Sequence, residues 1–549
     1  MSIHIKILSS LEKCFTDESL DGKQELSRIS CLRGEDVHFT LAYTSLGMPG
    51  WRLCEYAKLT CESELSVSFE RVENVPVRVP CYPNRADGGY LRKKAGIYPD
   101  LLVPMDIGDD VQIVSEQLYS IYGTVKVPEH TEAGDYTVSV GFLMESGEEI
   151  RESFTLSVIG AVLPKQELLV TEWVHYDCIA DAHGLEIFSE EHWQAIENYL
   201  KTAIDNGINT ILTPVFTPPL DTAIGWERPT VQLVDVEKDG DTYRFGFDKF
   251  RRFVSLCLRL GAERFEISHL FTQWGAYHAP KIMATENGEY KRIFGWDTDA
   301  ASDEYIGFLR SFIAALIAEA KALGINEKLI FHVSDEPNKD QLAQYKLVKS
   351  RIADALYGYP VCDALSDFDF YSDGVVEDPI PATDRIEPFL EAGIKDLWTY
   401  YCCGQWKDVS NRFIDMPLSR TRIIGGQFWK YGIKGFLHWG YNFYYTRFSK
   451  RKINPYVITD GDAFAPAGDA FSVYPAPGGK PYRSLRLVAF HEAVNDMRAL
   501  ALAEKLCGRE AVLAELEKRG EMTFSSYPMD AEFLLTLREN INRMIGEAI

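Results

Sequence analysis

The 549-residue sequence predicts a multidomain α and β chain: an N-terminal antiparallel β-sandwich, a (β/α)8 TIM-type barrel, and a mixed, mostly helical C-terminal extension. Three observations predict it. Period-two alternation of apolar residues recurs before residue 162. From about 167, short apolar runs alternate with amphipathic helical segments, the signature of parallel βα units. Beyond about 445 the pattern turns irregular and then helical. The implied domains are 1–162, 163–445 and 446–549, the last packed on the barrel.

In the first domain, LSVSFERV (65–72) puts Leu65, Val67 and Phe69 on one face. YTVSVGF (136–142) and RESFTLSV (151–158) alternate in the same way, as half-buried strands do. Glu132-Ala133-Gly134-Asp135 is a turn signal directly before the second of these. Several such strands make an antiparallel sandwich, and AVLPKQ (161–166) reads as the linker out of it.

The barrel strands are read at 167–177, 208–214, 264–269, 328–336, 359–365, 396–402 and 434–442, with one more near Gly374 to Val376. Between them, Trp193, Ile196, Leu200 and Ile204 share a helix face, as do Phe308, Phe312 and Leu316. Seven or eight such units in this length suit a barrel better than an open sheet. In the tail, GDAFSVYPAPGG (468–479) predicts a strand ending in a turn; 482–507 and the last thirty residues predict helices.

Composition narrows the function classes. Apolar content of 46% and charged content of 25% are those of an ordinary globular enzyme with a sizeable core. The net charge of −24 repels phosphate backbones and anionic membranes, so neither nucleic acid nor a membrane is an expected partner. No apolar run is long enough to span a bilayer. The eleven Cys show no CxxC pair, and neither metal-ligand spacing nor a phosphate loop occurs, so no metal and no cofactor are expected. The thiols read as reduced, and MSIHIKILSSLEKCF lacks a useful apolar h-region; both predict a cytoplasmic protein. The sequence says nothing of oligomeric state.

The chemistry is expected where barrel strands end, because polar residues there face the active site. FHVSDEP (331–337) runs from an apolar strand into Asp335 and Glu336. Two neighbouring carboxyls can divide labour, one protonated and one ionised; the bland alternative is a helix-capping acid beside a solvated one. Other strand ends carry His175 and Asp177, then His269, Gln273 and Trp274, then Trp398 and Tyr400, then Trp439 and Asn442. Rings that stack on sugar faces, together with groups that bind hydroxyls, make a carbohydrate site. His332, mid-strand, reads as a satisfied core histidine, and Trp193 and Trp226 as packing or rim residues. No GxSxG elbow and no HExxH are present.

FHVSDEP (331–337), LWTYYCCG (397–404), RTRIIGGQFWKYGIKGFLHWGYN (420–442), GDAFSVYP (468–475) and PYRSLRL (481–487), in that order, carry a resemblance. The chain resembles glycoside hydrolase family 123, the β-N-acetylgalactosaminidases, and the wider group with the domain-of-unknown-function 4091 region. It departs from the family pattern at Cys403-Gly404-Gln405 and in HEAVNDM (491–497). The resemblance implies a sandwich followed by a barrel, and retaining hydrolysis in which the substrate's 2-acetamido oxygen attacks C1. It implies that Asp335 orients the acetamido group and Glu336 is the acid and base. His175, Asp177, His269, Trp274, Trp398, Tyr400, Trp439 and Asn442 are the expected substrate-binding residues. The residues themselves leave open a hydrolase of a glycoside without the acetamido group, and a carbohydrate-binding protein with a vestigial site.

Overall fold

The computed structural model describes residues 2–47, 53–82 and 86–549. The first 162 residues form two five-stranded sheets. One runs Ser2–Ser9, Glu35–Leu46, Tyr119–Val127, Val67–Val77, Gly96–Met105, with every neighbour antiparallel. The other runs Arg28–Arg33, Glu149–Val162, Gly134–Met144, Cys54–Ser63, Asp110–Val114. The alternation seen in the sequence explains the packing: Val138, Val140 and Phe142 point inward and are buried. The Phe39 ring lies 5.1 Å from Phe154, and Tyr43 lies 5.2 Å from Phe142, so the two sheets share a core. One pair corrects the expectation of a wholly antiparallel domain. Arg28–Arg33 lies parallel to Glu149–Val162. A parallel neighbour needs a long crossover rather than a hairpin, and residues 34–148 supply it.

Eight short strands in the middle of the chain pair in parallel with one another and are named here in chain order: β1 (Leu169–Glu172), β2 (Thr210–Thr213), β3 (Arg264–Ile267), β4 (Leu329–Ile330), β5 (Cys362–Ala364), β6 (Asp378–Ile380), β7 (Trp398–Tyr400) and β8 (Gly435–His438). Six of them form a parallel half-barrel sheet in the order β4-β3-β2-β1-β8-β7. β5 and β6 form a parallel pair. Single parallel bridges join Phe331 to Val361 and Ala382 to Tyr400, between β4 and β5 and between β6 and β7. The strands are nearly all buried, as parallel strands covered on both faces must be.

The helices between them follow the apolar spacing. Glu190–Asp205 starts at Ser189, whose side chain accepts from the His192 N–H, and it buries Trp193, Ile196 and Leu200. Asp303–Ala322 is capped likewise by Ser302 and packs Phe308 and Phe312 on Phe216, with centroids 5.6 and 4.5 Å apart. One expected strand ends early. β1 stops at Glu172, and Tyr176–His183 is a helix closed by left-handed Gly184, so His175 and Asp177 sit at a helix start rather than a strand end. A four-stranded accessory sheet of Thr242–Gly246, Asp235–Asp239, Ile282–Glu286 and Glu289–Phe294 was not expected.

The C-terminal region contains the hairpin Val473–Ala476 with Lys480–Arg483 and the helices Leu485–Cys507, Arg509–Leu516 and Ala531–Ala548. A separate core joins these helices to both other parts: Leu32, Leu102 and Tyr122 of the sandwich meet Trp429, Val488, Leu537, Ile541 and Ile545. Buried charges cross the same joint. Glu492 accepts from Ser10 at 2.9 Å and Arg422 at 3.1 Å, and lies 3.2 Å from His38. Arg538 bonds Asp496 and Glu35 at 2.9 and 2.6 Å. No described helix is long and apolar enough to cross a membrane.

Candidate active site

At the carboxyl end of the parallel sheet lies a cavity of about 180 Å³. Asp335 and Glu336, just past β4, line it. Trp173, Tyr400 and Trp439 contribute aromatic wall from β1, β7 and β8, and loops add Asp221, Trp274 and Phe448.

The backbone explains how two consecutive residues face one cavity. Successive side chains on an extended strand point to opposite sides. Glu336 breaks the alternation with φ of 43° in the left-handed region. Its N–H donates to Ala364 O at 3.0 Å, while Asp335 O accepts from Trp274 N–H at 2.8 Å, so the turn is held from both flanks. Strained backbone of this kind persists where neighbours over-determine it.

The two carboxyls differ in surroundings. Asp335 is half-buried; Glu336 is open to the cavity, but its walls enclose it. Water therefore reaches Glu336 while bulk solvation is withheld. Tyr400 OH donates to Glu336 Oε1 at 2.7 Å, and Oε2 receives no hydrogen bond from a described residue. Burial, then the neighbouring Glu336 charge, holds the Asp335 carboxyl well above its ordinary range, and His332 opposes this. Burial also raises Glu336, and the Tyr400 hydrogen bond opposes it. Two interacting carboxyls of this kind titrate as a pair, with one proton between them over an intermediate range.

Beneath the pair sits a charged layer. His332 Nε2 lies 2.6 Å from Glu266 Oε1 and its Nδ1 lies 3.2 Å from Asp363 Oδ1. Both ring nitrogens face carboxylate oxygens, and only the imidazolium can donate to both. Burial alone would depress this histidine; Glu266 and Asp363 reverse that and carry it to about 10. Glu266 also accepts from Trp173 Nε1 at 2.7 Å and from Thr171. Asp363 also accepts from Val333 N–H at 2.9 Å and from Tyr345. His269 stacks on His332 with centroids 4.6 Å apart, and its Nδ1 has no partner among the described residues. His269, His332 and Asp363 are close enough to hold an ion. With both His332 nitrogens protonated toward carboxylates, no lone pair is left there for a metal, so the set does not fit one.

The cavity brings together Asp335, Glu336, Trp274, Tyr400 and Trp439 among the expected residues. The others lie elsewhere. His175, Asp177 and Asn442 are buried behind the wall. Arg228 pairs with Asp177 at 2.6 Å and donates to His175 Nδ1 at 3.2 Å. His175 Nε2 then carries the hydrogen and donates to Trp439 O at 2.9 Å. Burial and Arg228 push His175 down to about 3, so it stays neutral. Asn442 clamps His175 through both its backbone groups. This cluster sets Trp439 from behind. Trp398 lies at the amino end of β7, against Gly435, where an added Cβ would come within 1.9 Å of its ring. Tyr400, two residues on, faces the same side one layer higher and reaches Glu336.

Sequence reasoning passed over Asp221, Arg447 and Phe448. Asp221 is a third carboxyl on the cavity wall. Burial raises it to about 6, against the Phe448 N–H that donates to its Oδ2 at 2.9 Å and against Arg228 and Arg447. Asp469 supports Trp439, accepting from its Nε1 at 2.9 Å, and burial lifts it to about 7. Loops supply the first three, and loop residues carry no periodic signal.

A family model for the glycoside hydrolase 123 catalytic domain matches residues 173–503. The chain belongs to glycoside hydrolase family 123. It is therefore a glycoside hydrolase. A family 123 glycoside hydrolase from Clostridium perfringens, solved to detail glycolipid glycan hydrolysis, superposes with a TM-score of 0.71 at 15% identity, over 100% of this chain and 98% of that one. That likeness establishes a shared fold through the sandwich, sheet and tail together. A candidate glycoside hydrolase from Bacteroides vulgatus ATCC 8482 aligns at 12% identity over 76% and 73% of the two chains, and a Bacteroides ovatus GH5 xyloglucanase at 8% over 90% and 100%. Both have TM-scores of 0.29, too low to carry argument. No curated protein matches the chain. The family 123 match spans all five cavity residues named above.

Proposed function

We propose that this family 123 hydrolase is a retaining β-N-acetylhexosaminidase of the β-N-acetylgalactosaminidase type, using the substrate's acetamido oxygen as nucleophile. The observation that carries this is the pairing of consecutive carboxyls, Asp335 and Glu336, on one aromatic-walled cavity. One proton shared by the pair is what such a reaction needs. An acetamido N–H that donates to Asp335 favours its anion and leaves the proton on Glu336. The acetamido oxygen then bonds to C1 as the C1–O bond breaks, and Glu336 gives its proton to the leaving oxygen. The anionic Asp335 stabilises the oxazolinium charge. Glu336, now ionised, takes a proton from water as the water oxygen bonds to C1 on the face the leaving group vacated and the C1–acetamido oxygen bond breaks, restoring the acetamide. Two inversions give net retention.

The same reading takes residues 163–445 as a complete (β/α)8 barrel, supported by the Phe331–Val361 and Ala382–Tyr400 bridges, with 1–162 and 446–549 as flanking domains. It places the chain in the cytoplasm, supported by eleven free cysteines. A panel of chromogenic β-glycosides with and without the 2-acetamido group tests the chemistry: only those that carry it should be cleaved, and a thiazoline mimic of the intermediate should inhibit. One observation favours a second reading. Asp221 adds a carboxyl to the same cavity, and a carboxylate nucleophile would make the acetamido group dispensable. Cleavage of plain galactosides or glucosides would favour it.

A further inference from the structure

Resting on the hexosaminidase reading, we infer that the leaving-group side of the cavity selects a sugar carrying a carboxylate or sulfate, through Arg447 and Lys450. Of the catalytic pair, Glu336 is the member open to the cavity and Asp335 is the more enclosed. The acid protonates the leaving oxygen, so the leaving group points outward, toward the rim. Arg447, Phe448 and Trp274 line that cavity, and Lys450 is exposed just beyond.

Two features make this rim a built element. Phe448 and Ser449 both hold left-handed backbone, at φ of 62° and 55°, although neither is glycine. Such conformations persist only when neighbours impose them, and Asp221 does: its Oδ2 accepts from Phe448 N–H at 2.9 Å and its O accepts from Ser449 Oγ at 2.7 Å. Ala223 N–H closes the clasp on Phe448 O at 3.2 Å. The clasp sets the Phe448 ring edge-on to Trp274, with centroids 5.6 Å apart. Arg447 and Lys450 flank that ring, 4.6 and 5.8 Å from its centroid.

The second feature is charge. Nearby Arg451 and Lys452 are neutralised by Asp462 and Asp181. Arg447 and Lys450 form no direct ion pair among the described residues; Arg447 acts on Asp221 only through space, and both side chains are exposed, in a chain of net charge −24. A neutral leaving sugar forms no charge pair with either cation. An anionic one would be repelled by the rest of the molecule, and these two groups provide the local attraction. A bland solvated surface charge predicts no substrate discrimination, so the two accounts separate by experiment.

The test uses three β-N-acetylgalactosaminyl disaccharides whose leaving sugar is neutral, sulfated or carboxylated. Binding of each is measured by calorimetry to the full chain carrying Glu336→Gln, and kcat/KM on the chain without it. One or both anionic disaccharides should be favoured by about three- to tenfold at low salt, the range of two exposed charge pairs. The preference should fade between about 0.02 and about 0.5 M salt, and the anionic-to-neutral ratio should fall toward one in Arg447→Gln/Lys450→Gln. Equal binding of all three, or a preference that survives in the double variant, overturns the inference. If no disaccharide is cleaved, the hexosaminidase reading fails, while the binding ratios still decide this one.

Discussion

Glu336→Gln isolates the proposed proton transfer. Gln has the shape of Glu, and its Oε1 still accepts the Tyr400 OH that now sits 2.7 Å from Glu336. The cavity wall is thus retained. Asp335 also loses the neighbouring charge that raises its carboxyl, so its anion becomes easier to form and the variant is not doubly impaired. The loss that remains is that of the proton donor and acceptor. General acid catalysis contributes about 10²–10⁴-fold, or about 3–5 kcal/mol at 1.36 kcal/mol per factor of ten. With a sugar or alkyl leaving group the full loss should appear in kcat/KM. A nitrophenyl leaving group needs little protonation, so its release should be slowed by less than about tenfold. The later step still lacks a base for water, so stopped-flow release of nitrophenol should show a burst and then a slow steady rate. An equal loss for both leaving groups refutes the assignment, as does near-full activity on a disaccharide.

Three further outcomes follow from the same geometry. Asp335→Asn should lose activity to a similar degree whichever leaving group is used, because the oxazolinium charge develops in every case, and a thiazoline should bind it more weakly than the parent; recovery with an aryl leaving group would count against the role. His332→Gln removes the cation that holds Asp335 down, so the carboxyl pair should ionise at higher pH and the acid limb of the kcat/KM profile should move upward; an unmoved limb would show that the layer beneath is only scaffolding. Burial pushes Glu492 up, but Arg422 and His38 bring it down from 4.5 to about 2. That depression is worth about 3 kcal/mol of stability, present above about pH 4.5 and lost as pH falls toward about 2. Thermal melts across that window should show a steeper fall for the parent than for Glu492→Gln, and parallel curves would contradict the linkage.

Period-two and helical spacing carried most of the fold because those periods are set by burial, and burial is what the sequence encodes along a strand or helix. Depth along a strand is a different matter. β7 has three residues, and Trp398 and Tyr400 face the same side; only their height differs, and it puts one at the base and the other beside Glu336. An uncertainty of two residues in a strand end is therefore the whole distance between floor and mouth. The same shift moved His175 and Asp177 from a strand end to a helix start. The mid-strand position of His332 predicts a satisfied core histidine, and it is one, but its satisfaction comes from Glu266 and Asp363, residues 66 and 31 positions away, which no local pattern connects. Asp221, Arg447 and Phe448 entered the site through loops, where no period operates. The accessory sheet escaped notice because strands such as DVEKD (235–239) are charged and largely exposed.

The core shared by the sandwich, the strand region and the tail has a practical bearing on how this chain can be cut. Sequence similarity to the catalytic family spans 173–503, which leaves out Leu32, Leu102 and Tyr122 on one side and Leu537, Ile541 and Ile545 on the other. A fragment trimmed to those limits would keep every residue of the cavity and yet strip apolar partners from Val488 and Trp429, leaving a wide greasy face toward water. It would also leave Arg422 without Glu35, Ser10 and Arg538 around its acidic partners. A fragment that keeps this core closed therefore has to extend beyond 173–503 on both sides, far enough to include Leu32 and Ile545.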